Sequence, residues 1–469
     1  MSQPFIPTEL DTEKISKLLR QYALPAIIAM TAVSLYHTVN SVFIGHGVGA
    51  LAISGLAVTF PFMNIAAAFG SLVGVGAGAL VSIKLGQKDY GTAKKVLGNV
   101  FFLNIAIGLL FTTVSLVFLD PILYFFGASE NTIYYAREYM FIILLGNVIT
   151  HLYFGLNNVL RSAGHPQQAM MLTITTVVLN TILDPIFIFL FKWGIQGAAI
   201  ATVIAQLVSL IWQIRLFSNK NELLHFDKGF IKPDFRIIRD MVAIGLSPFL
   251  MNTAACFIVI LINKGMKAHG GDLAIGAFGI VNRISFIFVM IIMGLNQGMQ
   301  PIAGYNYGAR RFPRLMEVLK LTIIFATMIM TTAFLTGEFI PETVAQIFTS
   351  DKELIALSVY GLRLAFLLFP LVGAQIVIAN FFQSIGMAGK AIFLSLIRQV
   401  LVLIPCLIIL PQYWGITGVW VSMPISDFVA TIVSTLMIVY QIKKFRLPGI
   451  ADVSSALPGS GGCAYSTDM

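Results

Sequence analysis

The sequence has little charge for its length. Only 11% of its 469 residues are Asp, Glu, Lys or Arg, whereas 57% are hydrophobic and the mean hydropathy is +0.87. Soluble domains carry about 25% charged residues, so the composition excludes an ordinary soluble protein. Apolar runs of about 20 residues, the length that crosses a bilayer as a helix, recur along the whole chain. We therefore predict an all-α polytopic membrane protein.

Cysteine is also scarce, and several functional motifs are missing. The three cysteines, Cys256, Cys406 and Cys463, have no metal-site spacing and indicate no disulfide. The glycine-dense run at 69–82 has no strand before it and is not a phosphate-binding loop. The nucleophile or metal constellation of an intramembrane enzyme is not visible, and the first twenty residues lack the features of a signal peptide. We expect no enzyme activity and no cofactor.

The apolar runs predict twelve membrane-spanning helices. Their approximate limits are 16–44, 50–84, 94–119, 130–160, 167–191, 195–217, 240–266, 273–306, 314–337, 353–382, 389–411 and 415–441. Most of the 30 Lys and Arg residues lie in the even-numbered connections and near the termini, which the positive-inside rule places in the cytoplasm. The net charge of +9 is therefore a topology signal that also favours anionic lipids, and we expect no nucleic-acid partner.

Several motifs occur twice in the chain. "ALAISGLAV" at 50–58 matches "DLAIGAFGI" at 272–280, and "WGIQG" at 193–197 matches "WGITG" at 414–418, an offset of 221 or 222 residues. This duplication predicts two pseudo-symmetric six-helix bundles of the same orientation, with the substrate site between them near the midplane. We assign residues 1–217 to the N-terminal bundle, 218–239 to a cytoplasmic linker, 240–445 to the C-terminal bundle and 446–469 to a disordered tail.

One carboxylate lies within an apolar span. In "NTILDPIFIF", residues 180–189, Asp184 is followed directly by Pro185. An Asp at the bilayer centre costs about 2.5–3.5 kcal/mol, and a proline inside a helix costs roughly 3 kcal/mol. Asn180 shares the helix face of Asp184, and Pro185 frees a backbone carbonyl near Thr181. These groups form a candidate proton or Na⁺ site; the alternative is that Asp184 only ties helices together through hydrogen bonds.

Other polar residues within the spans suggest a substrate cavity. Asp427 and Arg398 carry opposite charges in neighbouring spans, where they form either a structural ion pair or part of the C-terminal cavity. The 19 Met and 37 Phe residues fit a cavity that adapts to different ligands and attracts organic cations. The candidate cavity residues are His37, Tyr36, Asn64, Asn282, Gln297, Gln300, Gln375, Asn380, Arg398 and Asp427.

Several motifs, in the right order, resemble the multidrug and toxic compound extrusion (MATE) transporters. They are "VNSVFIGHGVGALAISGLAV" at 39–58, "NNVLRSAGH" at 157–165, "LDPIFIF" at 183–189, "GLNQGMQPIAGYNYGARR" at 294–311 and "MPISDF" at 423–428. The pattern is similar to the bacterial branch that includes the MepA-type pumps. The resemblance implies a monomer whose two bundles open in a V within the bacterial inner membrane. It also implies export of cationic or amphipathic organic compounds in exchange for H⁺ or Na⁺.

The resemblance further implies an ion-coupling cluster in the N-terminal bundle. Its positions in this chain are Asp184, Asn180, Asn157 and Thr202. The first-helix acid that is usual in the family is replaced by Asn40, which leaves Asp184 as the only acid of the cluster. The alternative function is a flippase or exporter of a lipid-linked or other amphipathic metabolite, which would require several basic residues in its cavity.

Overall fold

The structure, a computed structural model, describes residues 9–227 and 229–445, without the side chains of His37, Thr38 and Ala50. The predicted tail at 446–469 lies outside the described residues. The α-helices are α1 (Glu9–Thr12), α2 (Ile15–Gly47), α3 (Ala50–Gly86), α4 (Tyr90–Val117), α5 (Leu119–Phe125), α6 (Ile133–Leu145), α7 (Asn147–Ser162), α8 (Pro166–Pro185), α9 (Gly194–Phe217), α10 (Phe235–Gly308), α11 (Phe312–Phe339), α12 (Pro341–Gln346), α13 (Lys352–Phe366), α14 (Phe369–Ser384), α15 (Ala388–Leu396) and α16 (Ile404–Phe445).

Two long helices contain a break that divides each of them between two spans. The 74 residues of α10 would measure about 110 Å as a continuous helix, far more than the hydrocarbon thickness of about 30 Å. Gly271 interrupts this helix with φ 67° and ψ −161°, a conformation that glycine adopts without a Cβ clash. Gly415 interrupts α16 in the same way, with φ 54° and ψ −133°.

With these breaks, the described residues contain twelve spanning segments, which confirms the predicted number. Eight helical stretches are long and apolar enough to cross a bilayer, and two of them are the stretches that Gly271 and Gly415 divide. Two further spans are bent pairs of shorter helices, α6 with α7 at 55° and α13 with α14 at 51°. Neither bend was predicted from the sequence, although each has a local signal: Gly146 stands between α6 and α7, and Pro370 lies in the first turn of α14.

Two spans contain a π-helical segment. Ile186–Leu190 continues α8 immediately after Pro185, and Ile397–Leu403 joins α15 to α16. Proline lacks the N–H that an α-helical ladder requires, which accounts for a break at the first of these segments. Wide π-turns are frequent at functional sites, and these two lie beside Asp184 and include Arg398.

The N-terminal half (described residues 9–217) and the C-terminal half (235–445) meet closely at the end of the molecule that carries the linker. We call this the linker end, and the opposite end the far end. A Cβ atom at Gly76 would lie 2.0 Å from the carbonyl oxygen of Met241, and one at Gly245 would lie 1.8 Å from that of Leu72. Only glycine permits backbones to approach so closely. The side chain of Gln300 adds a hydrogen bond of 3.0 Å to the carbonyl oxygen of Val75.

The connection between the halves is shorter than the predicted linker and packs on the N-terminal half. Helix α10 begins at Phe235 because the carboxylate of Asp234 caps it and accepts the N–H of Arg236 at 3.0 Å. The N–H of Asp234 donates to Oδ1 of Asn99 at 2.8 Å. Phe230 packs against Phe101 with ring centroids 5.5 Å apart, so this connection is not a free tether.

Candidate functional site

Three helices of the N-terminal half bring a buried polar cluster together. Helix α2 provides Tyr36 and Asn40, helix α8 provides Asn180 and Asp184, and helix α9 provides Thr202. Asp184 is 0% exposed and Asn180 is 1% exposed. A carboxylate in such a position requires hydrogen-bond partners or a proton, because a bare charge inside low-dielectric surroundings is costly.

Hydrogen bonds connect the cluster across the three helices. Nδ2 of Asn40 donates to the phenol oxygen of Tyr36 at 2.9 Å, and this phenol lies 3.2 Å from Oγ1 of Thr202. The amide atom of Asn180 that faces Asp184 lies 2.7 and 3.0 Å from the two carboxylate oxygens. The other amide atom of Asn180 lies 2.9 Å from Oγ1 of Thr202 and 3.1 Å from the hydroxyl of Tyr36.

The amide of Asn180 suits both protonation states of Asp184, one in each of its two orientations. When Asp184 is charged, the NH₂ group of Asn180 donates to the carboxylate, and its oxygen accepts from Tyr36 and Thr202. When Asp184 carries a proton, the amide oxygen can accept that proton, and its NH₂ group donates to Thr202. The arrangement therefore accommodates gain and loss of a proton at Asp184 without an unpaired polar group at Asn180.

The cluster lies between the middle of its spans and the far end. Asp184 is six residues before Leu190, the last residue of the π-helical segment, which corresponds to about 9 Å at 1.5 Å per residue. Asn40 is seven residues before Gly47, the end of α2, or about 10 Å.

The structure does not bring Asn157 into this cluster. Its Nδ2 donates to the carbonyl oxygen of Ala169 at 3.0 Å, and its Oδ1 accepts from Nη2 of Arg161 at 3.1 Å. Ala169 precedes Asn180 by eleven residues of α8, which is about 16 Å along the helix. Asn157 thus joins α7 to α8 on the linker side of the cluster.

Two tyrosines belong to the cluster in ways that the sequence did not reveal. Tyr36, which was assigned to the substrate cavity, hydrogen-bonds to Thr202. Tyr139 of α6 is buried, and its phenol interacts with Tyr36, Asp184 and Thr202. Spacing could not have identified Tyr139, because α6 contains three tyrosines within "YYAREY" and only the packing of α6 on α9 distinguishes it.

The candidate cavity residues occupy different environments. Gln300 is buried at the contact between the halves, and Nε2 of Gln297 lies 3.4 Å from the sulfur of Met30. Asn64 is half-buried and Asn282 is exposed, whereas the side chain of His37 lies outside the described part of the structure. In this conformation, the two glutamines therefore lie at contacts between the halves, with the contact of Gln297 near the middle of α2.

Arg398 and Asp427 form the ion pair that the sequence suggested. Nε of Arg398 lies 2.7 Å from Oδ1 of Asp427. The neighbouring Ser426 donates its hydroxyl to the carbonyl oxygen of Arg398 at 2.5 Å, so the π-helical segment and α16 are joined twice. Gln375 and Asn380 of α14 lie beside Arg398 around a small cavity.

Twelve spans in two halves, with a buried carboxylate cluster in one and a buried ion pair in the other, define a polytopic membrane protein of the secondary-transporter class. Comparison with known families gives the same result. The chain belongs to the MatE family, whose model matches residues 25–186 and 246–408. The starts of these two segments are 221 residues apart and their ends 222 residues apart, the spacing of the repeated motifs.

Individual relatives and solved structures agree with this assignment. The multidrug export protein MepA of Staphylococcus haemolyticus is 29% identical over 433 residues, which cover 92% of this chain and 95% of that protein. MepA of Staphylococcus aureus is also 29% identical, over 92% of this chain and 94% of its own.

Two solved structures share the fold. A MOP-superfamily transporter from Pyrococcus furiosus matches with a TM-score of 0.89 and 23% identity over 95% of this chain and 100% of that chain. A multidrug-resistance MATE transporter in an outward-facing conformation matches with a TM-score of 0.88 and 23% identity, again over 95% and 100%. At this identity the likeness is one of fold.

Proposed function

We propose that this protein is a secondary active multidrug exporter that exchanges cationic or amphipathic organic compounds for H⁺ or Na⁺. Membership of the MatE family and the likeness to MepA proteins support export as its activity. The buried cluster around Asp184 is the observation that carries the coupling mechanism. The same comparisons give no reason to expect catalysis, and we propose no enzyme activity and no cofactor.

The cluster can bind either coupling ion. A proton on Asp184 is accommodated by rotation of the Asn180 amide, as described above. For Na⁺, the carboxylate of Asp184, the amide oxygen of Asn180 and the hydroxyls of Thr202 and Tyr36 supply the oxygen ligands that hard cations prefer. Either ion removes the negative charge of the cluster, and the hydrogen bonds of Tyr36 and Asn40 transmit this change to α2.

The closed linker end suggests the order in which the two ends of the protein open during transport. The positive-inside rule places this end, with both termini, in the cytoplasm of a bacterial inner membrane. The structure then represents a conformation that is closed toward the cytoplasm. Binding of an ion from outside, at a cluster about 10 Å from the far end, would precede opening toward the cytoplasm, as alternating access requires. We propose that one chain carries out this cycle.

Substrate uptake into inverted vesicles tests the proposal, with the pH and Na⁺ gradients varied independently. We expect wild-type protein to accumulate a cationic dye against its gradient under at least one of the two ion gradients. Asp184→Asn keeps the size and hydrogen-bonding capacity of the side chain but removes its negative charge, so it can neither exchange a proton nor neutralise a bound Na⁺. We expect this variant to reduce gradient-driven uptake by at least about tenfold, which corresponds to about 1.4 kcal/mol.

Asp120→Asn provides a matched control. Asp120 is a carboxylate of the same half, but it is paired with Arg137 near the surface, with 44% of its side chain exposed. We expect gradient-driven substrate uptake by the Asp120→Asn variant to equal that by the wild type. Gradient-driven uptake that survives in well-folded Asp184→Asn protein would exclude the proposed coupling role.

A further inference from the structure

A second polar site lies inside the C-terminal half, between α10, α14 and the π-helical segment Ile397–Leu403. Its walls include Ser247, Met251, Gln375, Asn380, Arg398 and Gln399. The cavity volume is about 30 Å³, which is enough space for about two water molecules. The cavity can therefore hold a small charged group of a ligand but not a whole organic molecule.

Arg398 presents its charge to this cavity, whereas the counter-charge is hidden behind it. The side chain of Arg398 is 29% exposed and that of Asp427 only 4%. Arg398 is ten residues from Ala388, the start of its span, or about 15 Å from the linker end. A guanidinium group exposed to lipid at this depth would be costly, which agrees with the position of Arg398 in the wall of the cavity within the protein.

The end of the guanidinium group remains available for a ligand. The bond to Asp427 uses Nε of Arg398, and the described residues provide no other hydrogen bond to its side chain. Nη1 and Nη2 therefore keep the parallel N–H donors that match the two oxygens of a carboxylate. The buried carboxylate of Asp427 fixes the orientation of this fork.

The opposite wall carries polar groups whose hydrogen bonds are incomplete. Gln375 is 3% exposed, and its Oε1 has no hydrogen-bond partner among the described residues. Nδ2 of Asn380 donates to the carbonyl oxygen of Ile376 at 2.9 Å. The amide oxygen of Asn380 therefore stays available to accept a hydrogen bond from a ligand. Such unpaired buried groups are uncommon unless a ligand or water completes them, and amides can rotate to offer either a donor or an acceptor.

We propose that this cavity binds the carboxylate group of zwitterionic amphipathic substrates, with Arg398 as the donor and Gln375 as the opposite wall. The cationic group of the same substrate balances the added negative charge, which a simple organic anion would leave uncompensated beside Asp427. This inference rests on the proposed export function and assigns the subsite that would hold the carboxylate of such a substrate. It also assigns a role to Arg398, whose side chain is 29% exposed in the wall of this cavity.

Equilibrium binding of a matched pair of dyes tests the inference. The pair consists of a zwitterionic rhodamine with a free carboxylate and the methyl ester of the same dye, which is only cationic. Fluorescence polarisation measures the binding of both to the purified full-length protein in detergent. We expect Arg398→Gln to weaken binding of the acid by at least about tenfold, the usual scale for a charged hydrogen bond, and to change binding of the ester by less than about twofold.

Two further variants distinguish recognition from folding. Arg398→Gln leaves Asp427 buried without a partner, so the double variant Arg398→Leu with Asp427→Leu removes both charges together. We expect the double variant to bind the acid as weakly, relative to the ester, as Arg398→Gln does. Arg283→Gln, which changes an exposed arginine of α10, should affect neither dye.

Equal weakening of both dyes would show that the ion pair is only structural, and unchanged binding of the acid would also overturn the inference. Failure of wild-type protein to bind the acid, with normal binding of the ester, would do the same. The binding assay requires no ion gradient. Loss of gradient-driven export would therefore contradict the proposed function without affecting this result.

Discussion

Gly86 of α3 lies directly against the backbone of Tyr305 in α10. A Cβ atom at Gly86 would lie 2.0 Å from the carbonyl oxygen of Tyr305 and 2.9 Å from the N atom of Ala309. The relationship is reciprocal, because a Cβ atom at Gly308 would lie 2.1 Å from the carbonyl oxygen of Ile83. Two glycines thus allow the halves to close at the linker end, which makes closure sensitive to a single methyl group.

Gly86→Ala should therefore shift the protein toward a conformation that is open at the linker end. Overpacking of this kind costs about 1–3 kcal/mol, and this cost applies only to the closed conformation. The measurement is the rate at which a maleimide labels Ser82→Cys in a background without the native cysteines. Ser82 is buried, and a Cβ atom at Gly304 would lie 2.7 Å from its Cβ. We expect labelling to accelerate about tenfold.

Gly389→Ala is the matched control for this experiment. Gly389 lies at the same end of the molecule, and a Cβ atom at this position would meet nothing within 4 Å. The same labelling rate in both alanine variants would show that close backbone packing at Gly86 does not control closure.

The phenol of Tyr36 should contribute to coupling as well as to stability. Tyr36→Phe removes the hydroxyl that lies 3.2 Å from Thr202 and accepts from Asn40. We expect the free energy of unfolding to fall by about 0.5–1.5 kcal/mol, the usual range for one hydrogen bond. We also expect gradient-driven export to slow severalfold, measured in proteoliposomes. Tyr440→Phe, at a position that is 67% exposed, should have the stability and export rate of the wild type. If Tyr36→Phe also exports at the wild-type rate, the phenol of Tyr36 does not transmit ion binding to α2.

The start of α4 should lose stability in acid. Burial raises the pKa of Asp89, but hydrogen bonds from Thr92 and the nearby charge of Lys84 outweigh this effect, so the pKa lies below its ordinary value. Because the folded-state pKa is the lower one, the stabilisation is present at neutral pH and is lost as the pH falls below about 4. The side chain is 39% exposed, so solvent screening keeps the effect small.

Thermal unfolding of wild type and Asp89→Asn at a series of pH values checks this prediction. We expect the wild type to have the higher midpoint at neutral pH and the two midpoints to converge between about pH 4 and pH 3. A difference that persists undiminished at pH 3 would mean that Asp89 stabilises α4 by its shape rather than by its charge.

The connection between the halves should detach when Gly98 gains a side chain. A Cβ atom at Gly98 would lie 1.9 Å from the carbonyl oxygen of Phe230, so Gly98→Ala must displace this segment. We expect faster cleavage by trypsin at Lys220 and Lys232, measured by gel electrophoresis under native conditions. Gly91→Ala, where the nearest atom would be Oδ1 of Asp89 at 3.9 Å, should leave cleavage unchanged. Equal cleavage of both variants would contradict close docking of the connection.

The sequence predicted the spans well because their apolar length is a local property. Helix α9 was predicted at 195–217 and observed at Gly194–Phe217. The bends at Gly146 and at Leu367–Leu368 were not predicted, although Gly146 itself and Pro370, in the first turn of α14, are local signals for a helix break. The predicted division into bundles at 217 and 240 stays a prediction.

The candidate site was partly predictable for the same reason. Asn180 and Asp184 stand one helical turn apart, so their meeting followed from spacing alone. Tyr36 and Tyr139 reach the cluster from other helices, and their place depends on how α2 and α6 pack against α9. Asn157 shows the converse limit, since a polar residue in a recognised motif bonds to Arg161 instead. The roles assigned to these residues remain predictions.

The repeat spacing shows how far the two halves have diverged. The residue 222 positions after Asp184 is Cys406, and the residue 221 positions before Asp427 is Gln206, which hydrogen-bonds to the neutral Thr150. A symmetric dimer of identical six-helix subunits would have to carry the same charge arrangement twice. Once the two copies were joined in one gene, a mutation could change one copy alone, and the descendants could hold a lone acid on one side and a compensated pair on the other.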